Sequence, residues 1–424
     1  MIDRSRSSAA DRRLALFALY GMTIGVVLLQ RLAVPFGGAP ISVTLLVVLI
    51  GFVFLLLSGS LVEDRVRMGL YLVAISVCLV SAMASFVWRE GPSFTSVLLL
   101  VVLYAPFTYV LRPALADLFP RVIEFFCKLM MLGAVVAIAQ WLAQLGGWQF
   151  TDYPEKFLPE QFLVPDYNTS YPLRYGSDLW KSNGLFFLEP SFCSQFLALA
   201  IIAQLVQGGK RWRIPLYAFG LLTTVSGTGL VLLGFGLAVL AWRRGAIWSL
   251  GILGTTVIAM IAVAVTPMGK IFVERAAEAR DPDSSVSLRF NDPYIRAFHN
   301  LGEKPSAPLI GYGPGFVEQE AEAHLQRTQL QLAFPVIPKL AAEYGIAAAI
   351  LFTAFLVTAF GARTPSATLA ACLLFMHFTL SGSLLQPQTV YLALILASLF
   401  ATIVPIRRYD PVPAPTLTPQ PAAT

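Results

Sequence analysis

Apolar stretches, each closed off by arginine or lysine, constrain this chain more than any other feature. They cover residues 14–29, 41–57, 70–88, 97–111, 129–145 and 185–206, and continue over 214–225, 230–242, 247–266, 344–360, 367–380 and 389–404. A helix needs about 20 apolar residues to cross a bilayer, fewer where neighbours shield it. Read that way the chain has twelve spans. Composition agrees: 57% of the 424 residues are hydrophobic and only 13% charged, with a mean hydropathy of +0.70. A water-exposed surface of ordinary polarity needs about a quarter charged residues, so a soluble enzyme, a disulfide scaffold and a disordered regulator are excluded.

Basic residues test the count. With the N-terminus inside, the inner stretches hold Arg4, Arg6, Arg12 and Arg13, then Arg65 and Arg67, then Arg112, Arg121 and Lys128. Lys210, Arg211 and Arg213 follow, then Arg243 and Arg244, Arg363, and Arg407 and Arg408. The short outer loops hold only Arg31 and Arg89. This alternation satisfies the positive-inside rule and predicts both termini in the cytoplasm. The arginine-rich start also raises a signal peptide, but no small-residue cleavage site follows the first apolar run, so that run is read as a span. The net charge of +6 is therefore mostly topology and calls for no nucleic-acid partner. The four cysteines lie in apolar segments, and the three histidines form no Cys/His cluster of the zinc type.

The expected fold class is an all-α polytopic membrane protein. Its organisation reads as helices 1–5 over residues 1–145, an aromatic-rich outer loop over 146–184 and helices 6–9 over 185–266. A large helical outer loop over 267–336, helices 10–12 over 337–408 and a Pro-rich disordered tail over 409–424 complete it. Long loops without a core of their own are usually functional. The spans at 214–225 and 230–242 are short and share the polar turn Ser226-Gly227-Thr228-Gly229. Gly-rich backbone at membrane depth has to line a protein cavity, and the following helix N-terminus suits a phosphate. A tilted tight hairpin explains the same residues equally well.

Four motifs in order resemble the O-antigen ligase/O-antigen polymerase superfamily of bacterial surface-polysaccharide enzymes: Asn183-Gly184-Leu185-Phe186-Phe187-Leu188-Glu189-Pro190-Ser191; Thr224-Val225-Ser226-Gly227; Ser287-Leu288-Arg289 with Pro308-Leu309-Ile310-Gly311-Tyr312-Gly313-Pro314-Gly315; and Lys339-Leu340-Ala341-Ala342-Glu343-Tyr344-Gly345. The resemblance covers residues 183–345; the first five spans match only as hydropathy. It implies a GT-C-like glycosyltransferase of the bacterial inner membrane, acting at the periplasmic face on a glycan carried by undecaprenyl diphosphate. Arginines hold the diphosphate in such enzymes, with no metal, nucleotide sugar or other cofactor. Expected partners are the lipid-linked donor and acceptor, membrane lipids, a flippase and a chain-length regulator. Two departures favour a polymerase over a ligase. Gly227 follows Ser226 where the family often has arginine, and Phe334 stands where ligases carry a histidine.

Glycosyl transfer from a diphosphate needs cations for the departing charge and a base for the acceptor hydroxyl. If 287–301 is one helix, Arg289, Asp292, Arg296 and His299 share a face; Pro293 would split it. Arg289 is the first candidate for the diphosphate, with Arg296 and Arg327 beside it. Glu189, read as lying inside a span, serves either as base or as the partner of Arg289. His324 lies near Glu320 and Arg327 on a helix face, as a relocated base or part of a solvated face; His299 is the other candidate base. Ser226, Thr228, Tyr312, Arg174, Lys181 and Trp180 are candidate substrate contacts. The aromatics of 146–184 (Trp148, Phe150, Tyr153, Phe157, Phe162, Tyr167, Tyr171, Tyr175 and Trp180) form either a glycan-binding rim or a membrane-interface belt. At this point the rivals to a polymerase are a ligase of the same superfamily, a twelve-span transporter and a structural subunit of an export complex.

Overall fold

The computed structural model describes residues 9–36, 39–88, 93–165, 167, 169–173, 177–245, 287–328, 332–380 and 384–401. Each stretch expected to span carries a helix where it is described, although the one at 97–111 leaves its helix at Tyr104 and passes through a short turn into a strand at Tyr109–Leu111. The helices are α1 (Ala9–Leu28), α2 (Val43–Leu57), α3 (Arg65–Trp88), α4 (Phe94–Tyr104), α5 (Phe119–Leu145), the short α6 (Tyr153–Phe157), α7 (Pro190–Gln207), α8 (Arg213–Thr223) and α9 (Gly227–Arg244). Residues 287–328 contribute α10 (Ser287–Phe290), α11 (Asp292–Glu303), α12 (Ala307–Ile310) and α13 (Phe316–Thr328). Then come α14 (Val336–Gly361), α15 (Ala367–Phe375), extended by a π turn over Met376–Leu380, and α16 (Pro387–Leu396). Two short antiparallel ladders, Ala33–Phe36 with Ala39–Ser42 and Leu61–Glu63 with Tyr109–Leu111, close connections between helices. The stretch expected to span 247–266 and the tail at 409–424 lie outside the described residues.

Among the described residues, five helices are long and apolar enough to cross a membrane: Arg65–Val87, Pro113–Leu145, Pro190–Gln207, Gly227–Arg244 and Val336–Gly361. Shorter apolar helices pack among them. The chain is an all-α multi-pass membrane protein. Its central helix is α7, buried on nearly every face and packed on α5, α8, α9 and α15. Proline at its first turn suits a helix start, and Gly208 at φ 65° ends it. Helices in lipid associate by close packing, which small residues permit. A Cβ on Gly229 of α9 would lie 2.6 Å from the Ser194 backbone of α7, so glycine sets that crossing.

Three expectations about local structure need correction. The span expected to begin at Leu185 begins at Pro190. Gly184 and Leu185 both sit at φ 64°, so the chain up to Glu189 is irregular and Glu189 is the residue before the helix. The hairpin turn is shorter than expected, because Gly227, Thr228 and Gly229 already belong to α9; the strained residue is Val225, at φ 43°. Residues 287–301 are not one helix. The chain breaks at Asn291, with Pro293 in the first turn of α11, so the common face proposed for Arg289, Asp292, Arg296 and His299 does not run through a continuous helix.

Candidate active site

Two sequence motifs lock together to carry the segment 287–328. α14 is interrupted at Gly345, where φ is 86° and ψ 169°. Just before that break, the carbonyls of Ala342 and Glu343 accept the N–H groups of Tyr312 at 2.8 Å and Gly313 at 2.9 Å. Gly311 and Gly345, both at positive φ, each press against the backbone of the other's segment. A Cβ on Gly311 would meet Glu343 backbone at 2.4 Å, and one on Gly345 would meet the Leu309 carbonyl at 2.4 Å. The buried Glu343 carboxylate accepts the N–H of Gly315 at 3.1 Å and of Val317 at 3.4 Å. Lys339 lies 3.4 Å from the same oxygen and also pairs with Glu318. Burying an ion pair is expensive unless hydrogen bonds complete it; here they fix where α13 begins. Ser81 Oγ of α3 donates to the Ile310 carbonyl at 2.5 Å and Ser93 N–H to the Pro314 carbonyl at 2.8 Å, tying the turn to a second pair of helices.

On that joint stands an open cleft of about 440 Å³ lined by Ile295, Arg296, His299, Glu303, Tyr312, Glu320 and Arg327, among others. Arg296 Nη1 lies 3.3 Å from Glu320 Oε1, and its Nη2 donates to His324 Nδ1 at 3.3 Å. The structure thus brings together Arg296 and the Glu320/His324/Arg327 face, which the sequence left on separate helices. His324 is not on a solvated face. It is buried behind Arg296, and burial, with Arg296 and Arg327 nearby, lowers its pKa below the ordinary histidine value. His299 opens to the cleft, its Nδ1 3.5 Å from Glu303 Oε1. Tyr312 stacks on Phe316 at 4.5 Å, carries the Lys304 ammonium 5.4 Å from its ring centre, and donates its hydroxyl to the Asn300 carbonyl at 2.6 Å. The Arg289 side chain and all of Arg174 lie outside the described residues.

The other candidates form a second group around α7. Ser191 Oγ donates to Glu189 Oε2 at 3.0 Å, and Ser194 Oγ to the Ser191 carbonyl at 2.7 Å. Thr228 Oγ1 is 3.5 Å from Ser194 Oγ and 3.1 Å from Ser226 Oγ. A track of hydroxyls therefore links the buried Glu189 to the α9 start. The irregular segment before α7 is pinned by glutamines of α5. Gln140 holds Asn183 and the Gly184 N–H, and Gln144 holds the Trp180 N–H at 2.7 Å and its carbonyl at 3.2 Å. Lys181 is buried with its ammonium 5.1 Å from the Tyr171 ring centre.

Sequence reasoning quoted Lys339 and Glu343 inside a motif without giving them a role, and it passed over Gln140 and Gln144. The available signal was polarity: ionisable or amide groups within apolar runs seldom lack a partner. Phe334, by contrast, is buried in a small apolar cluster with Leu288, Val317, Leu332 and Ala342, where no base could act. Among the described residues no cluster of three or more His, Cys, Asp or Glu is arranged for a metal ion.

Apolar helices long enough to cross a membrane, together with a helical segment that carries an arginine- and histidine-lined cleft, define a multi-pass membrane protein with a polar site. The family model described as WcaD colanic acid polymerase matches residues 18–402, and the chain belongs to that family of Wzy-like polysaccharide polymerases. No curated protein and no solved structure matches it. Family membership makes it a repeat-unit polysaccharide polymerase, a glycosyltransferase-type enzyme acting in a membrane.

Proposed function

We propose that the chain polymerises undecaprenyl-diphosphate-linked repeat units at the periplasmic face of the bacterial inner membrane. In this reading it has twelve spans in a GT-C-like arrangement, both termini are cytoplasmic and the outer loops are periplasmic. The observation that carries it is the meeting of Arg296, Arg327 and His299 in one cleft, with Glu303 behind His299. The acceptor's non-reducing hydroxyl attacks the donor's anomeric carbon; the bond from that carbon to the diphosphate oxygen breaks, and undecaprenyl diphosphate leaves. His299 takes the hydroxyl proton, its Nδ1 oriented by Glu303. Arg296 and Arg327 stabilise the charge growing on the diphosphate, the role also proposed for Arg289; a planar guanidinium fork matches phosphate oxygens. His324 and Glu320 hold the Arg296 fork in place, and Tyr312 walls the sugar side. Glu189 with Ser226 and Thr228 lines the membrane-facing polar track. A ligase reading is disfavoured by Phe334, whose apolar burial leaves no base at the ligase position.

The test uses purified protein in bilayers with lipid-linked repeat units. A ladder of longer lipid-linked glycans is expected from the wild type, and its loss in Arg296→Ala and His299→Gln at normal protein abundance. Product only when a lipid A-core acceptor is added would replace the reading with a ligase. Solute movement without product would replace it with a transporter.

A further inference from the structure

Five of the aromatic side chains of 146–184 fall into two sets with different surroundings. Trp148, Tyr153 and Phe157 are strongly exposed, and Tyr153 and Phe157 stack on each other at 6.2 Å. Such rings suit the membrane interface, where an amphipathic ring needs no cavity. Phe150 and Trp180 differ. Both are half-buried, their rings lie 6.0 Å apart with planes only 18° from parallel, and they wall a separate cavity of about 340 Å³. Thr151, Asp152, Glu155, Lys156 and Ser170 complete its lining.

This cavity is held in shape from behind. Gln144 binds both the N–H and the carbonyl of Trp180, which also bridges to Pro172. Asp152 caps α6 by accepting the Glu155 N–H and is gripped by both Arg31 guanidinium nitrogens at 2.6 and 2.7 Å, a pair almost wholly buried. The flat apolar wall and the polar rim are thus preset before any ligand arrives, which lowers the ordering cost of binding. Its volume falls within the ~300–1,000 Å³ usual for small-molecule sites.

A pyranose has one face of C–H groups and an edge of hydroxyls, which matches a ring-walled cavity with hydroxyl, carboxylate and ammonium groups around it. Asp152 is neutralised by Arg31, and Glu155 and Lys156 offset each other, so the lining offers no surplus positive charge to a phosphate. We infer that Phe150 and Trp180 form a saccharide subsite, apart from the Arg296 cleft, that takes uncharged pyranosyl residues of the lipid-linked glycan and not its diphosphate. It rests on the polymerase reading only for the identity of the glycan. Division of the substrate follows: the arginine-lined cleft takes the end that leaves, and the aromatic cavity grips sugar along the chain.

The experiment uses the full-length protein in nanodiscs and two probes: the oligosaccharide released by mild acid from the host's lipid-linked repeat units, and undecaprenyl diphosphate without sugar. Phe150→Leu and Trp180→Leu should each weaken oligosaccharide binding about tenfold, as loss of one aromatic packing partner does, and leave undecaprenyl diphosphate binding unchanged. In the polymerisation assay a raised KM for the acceptor or for the donor supports the subsite and says whose glycan fills it. Wild-type-like oligosaccharide affinity in both variants, equal loss of both probes, or no oligosaccharide binding by the wild type overturns it. Oligosaccharide binding by a wild type that makes no ladder removes the polymerase reading and leaves the subsite standing.

Discussion

The Glu343 carboxylate of α14 accepts the backbone N–H of Gly315 across 3.1 Å, deep enough that Glu343 has no exposed surface. A membrane helix thereby sets the starting point of α13, and with it the positions of Glu320 and His324 that hold Arg296.

Glu343→Ala should destabilise the protein by roughly 3 kcal/mol, the low end for breaking a buried pair, because Glu318 remains to face Lys339. Glu343→Gln keeps an acceptor for Gly315 and Val317 and should cost clearly less. Thermal unfolding in nanodiscs separates the two; equal losses would mean that charge, not the hydrogen bonds, holds the joint.

Gly345→Ala and Gly311→Ala should each loosen the loop from the bundle. Both positions have positive φ, which costs a non-glycine residue about 1–3 kcal/mol where the backbone cannot relax, and both would press a Cβ within 2.4 Å of backbone atoms. Faster proteolysis within α11–α13 at unchanged membrane insertion is the expected result.

His324 gives a stability slope with pH. Burial, then Arg296 and Arg327, lower its pKa from 6.5, with Asp292 and Glu320 opposing. The unfolded chain therefore takes up the proton first. The contribution is complete above pH 6.5 and is lost as pH falls through the lowered folded value. Melting temperature measured downward from neutral pH should fall in the wild type and be flatter in His324→Gln, whose amide oxygen can still accept from Arg296.

Gly229→Val should lower stability and polymerisation together, because added atoms would push α9 from the Ser194 backbone and pull Thr228 from the hydroxyl track. Gly227→Ala, with nothing within 4 Å of its added carbon, is the matched control and should behave as wild type.

Hydropathy foretold the helices because apolar length is a local property, and Arg65, Arg67 and Arg363 at helix ends are legible for the same reason. Glu189 was misplaced because Leu185–Leu188 are as apolar as a helix, whereas positive φ at Gly184 and Leu185 depends on Gln140 of another helix. Arg296 and His299 could be picked out as residue types. Their association with Glu320 and Arg327 in one cleft could not, because it is set by the joint at Gly311 and Gly345, a contact between motifs distant in sequence.

Arg67 has no exposed surface; its guanidinium reaches the Ser398 carbonyl at 3.0 Å and the Ser398 hydroxyl at 2.9 Å, besides Asp64 and the Ala362 carbonyl. During synthesis α3 emerges long before residues 362 and 398 exist. Until then Asp64 is the one of these four partners that exists, and the Ser398 and Ala362 hydrogen bonds to the guanidinium cannot form. Closure of the bundle around Arg67 therefore awaits translation of Ser398, 331 residues further along the chain.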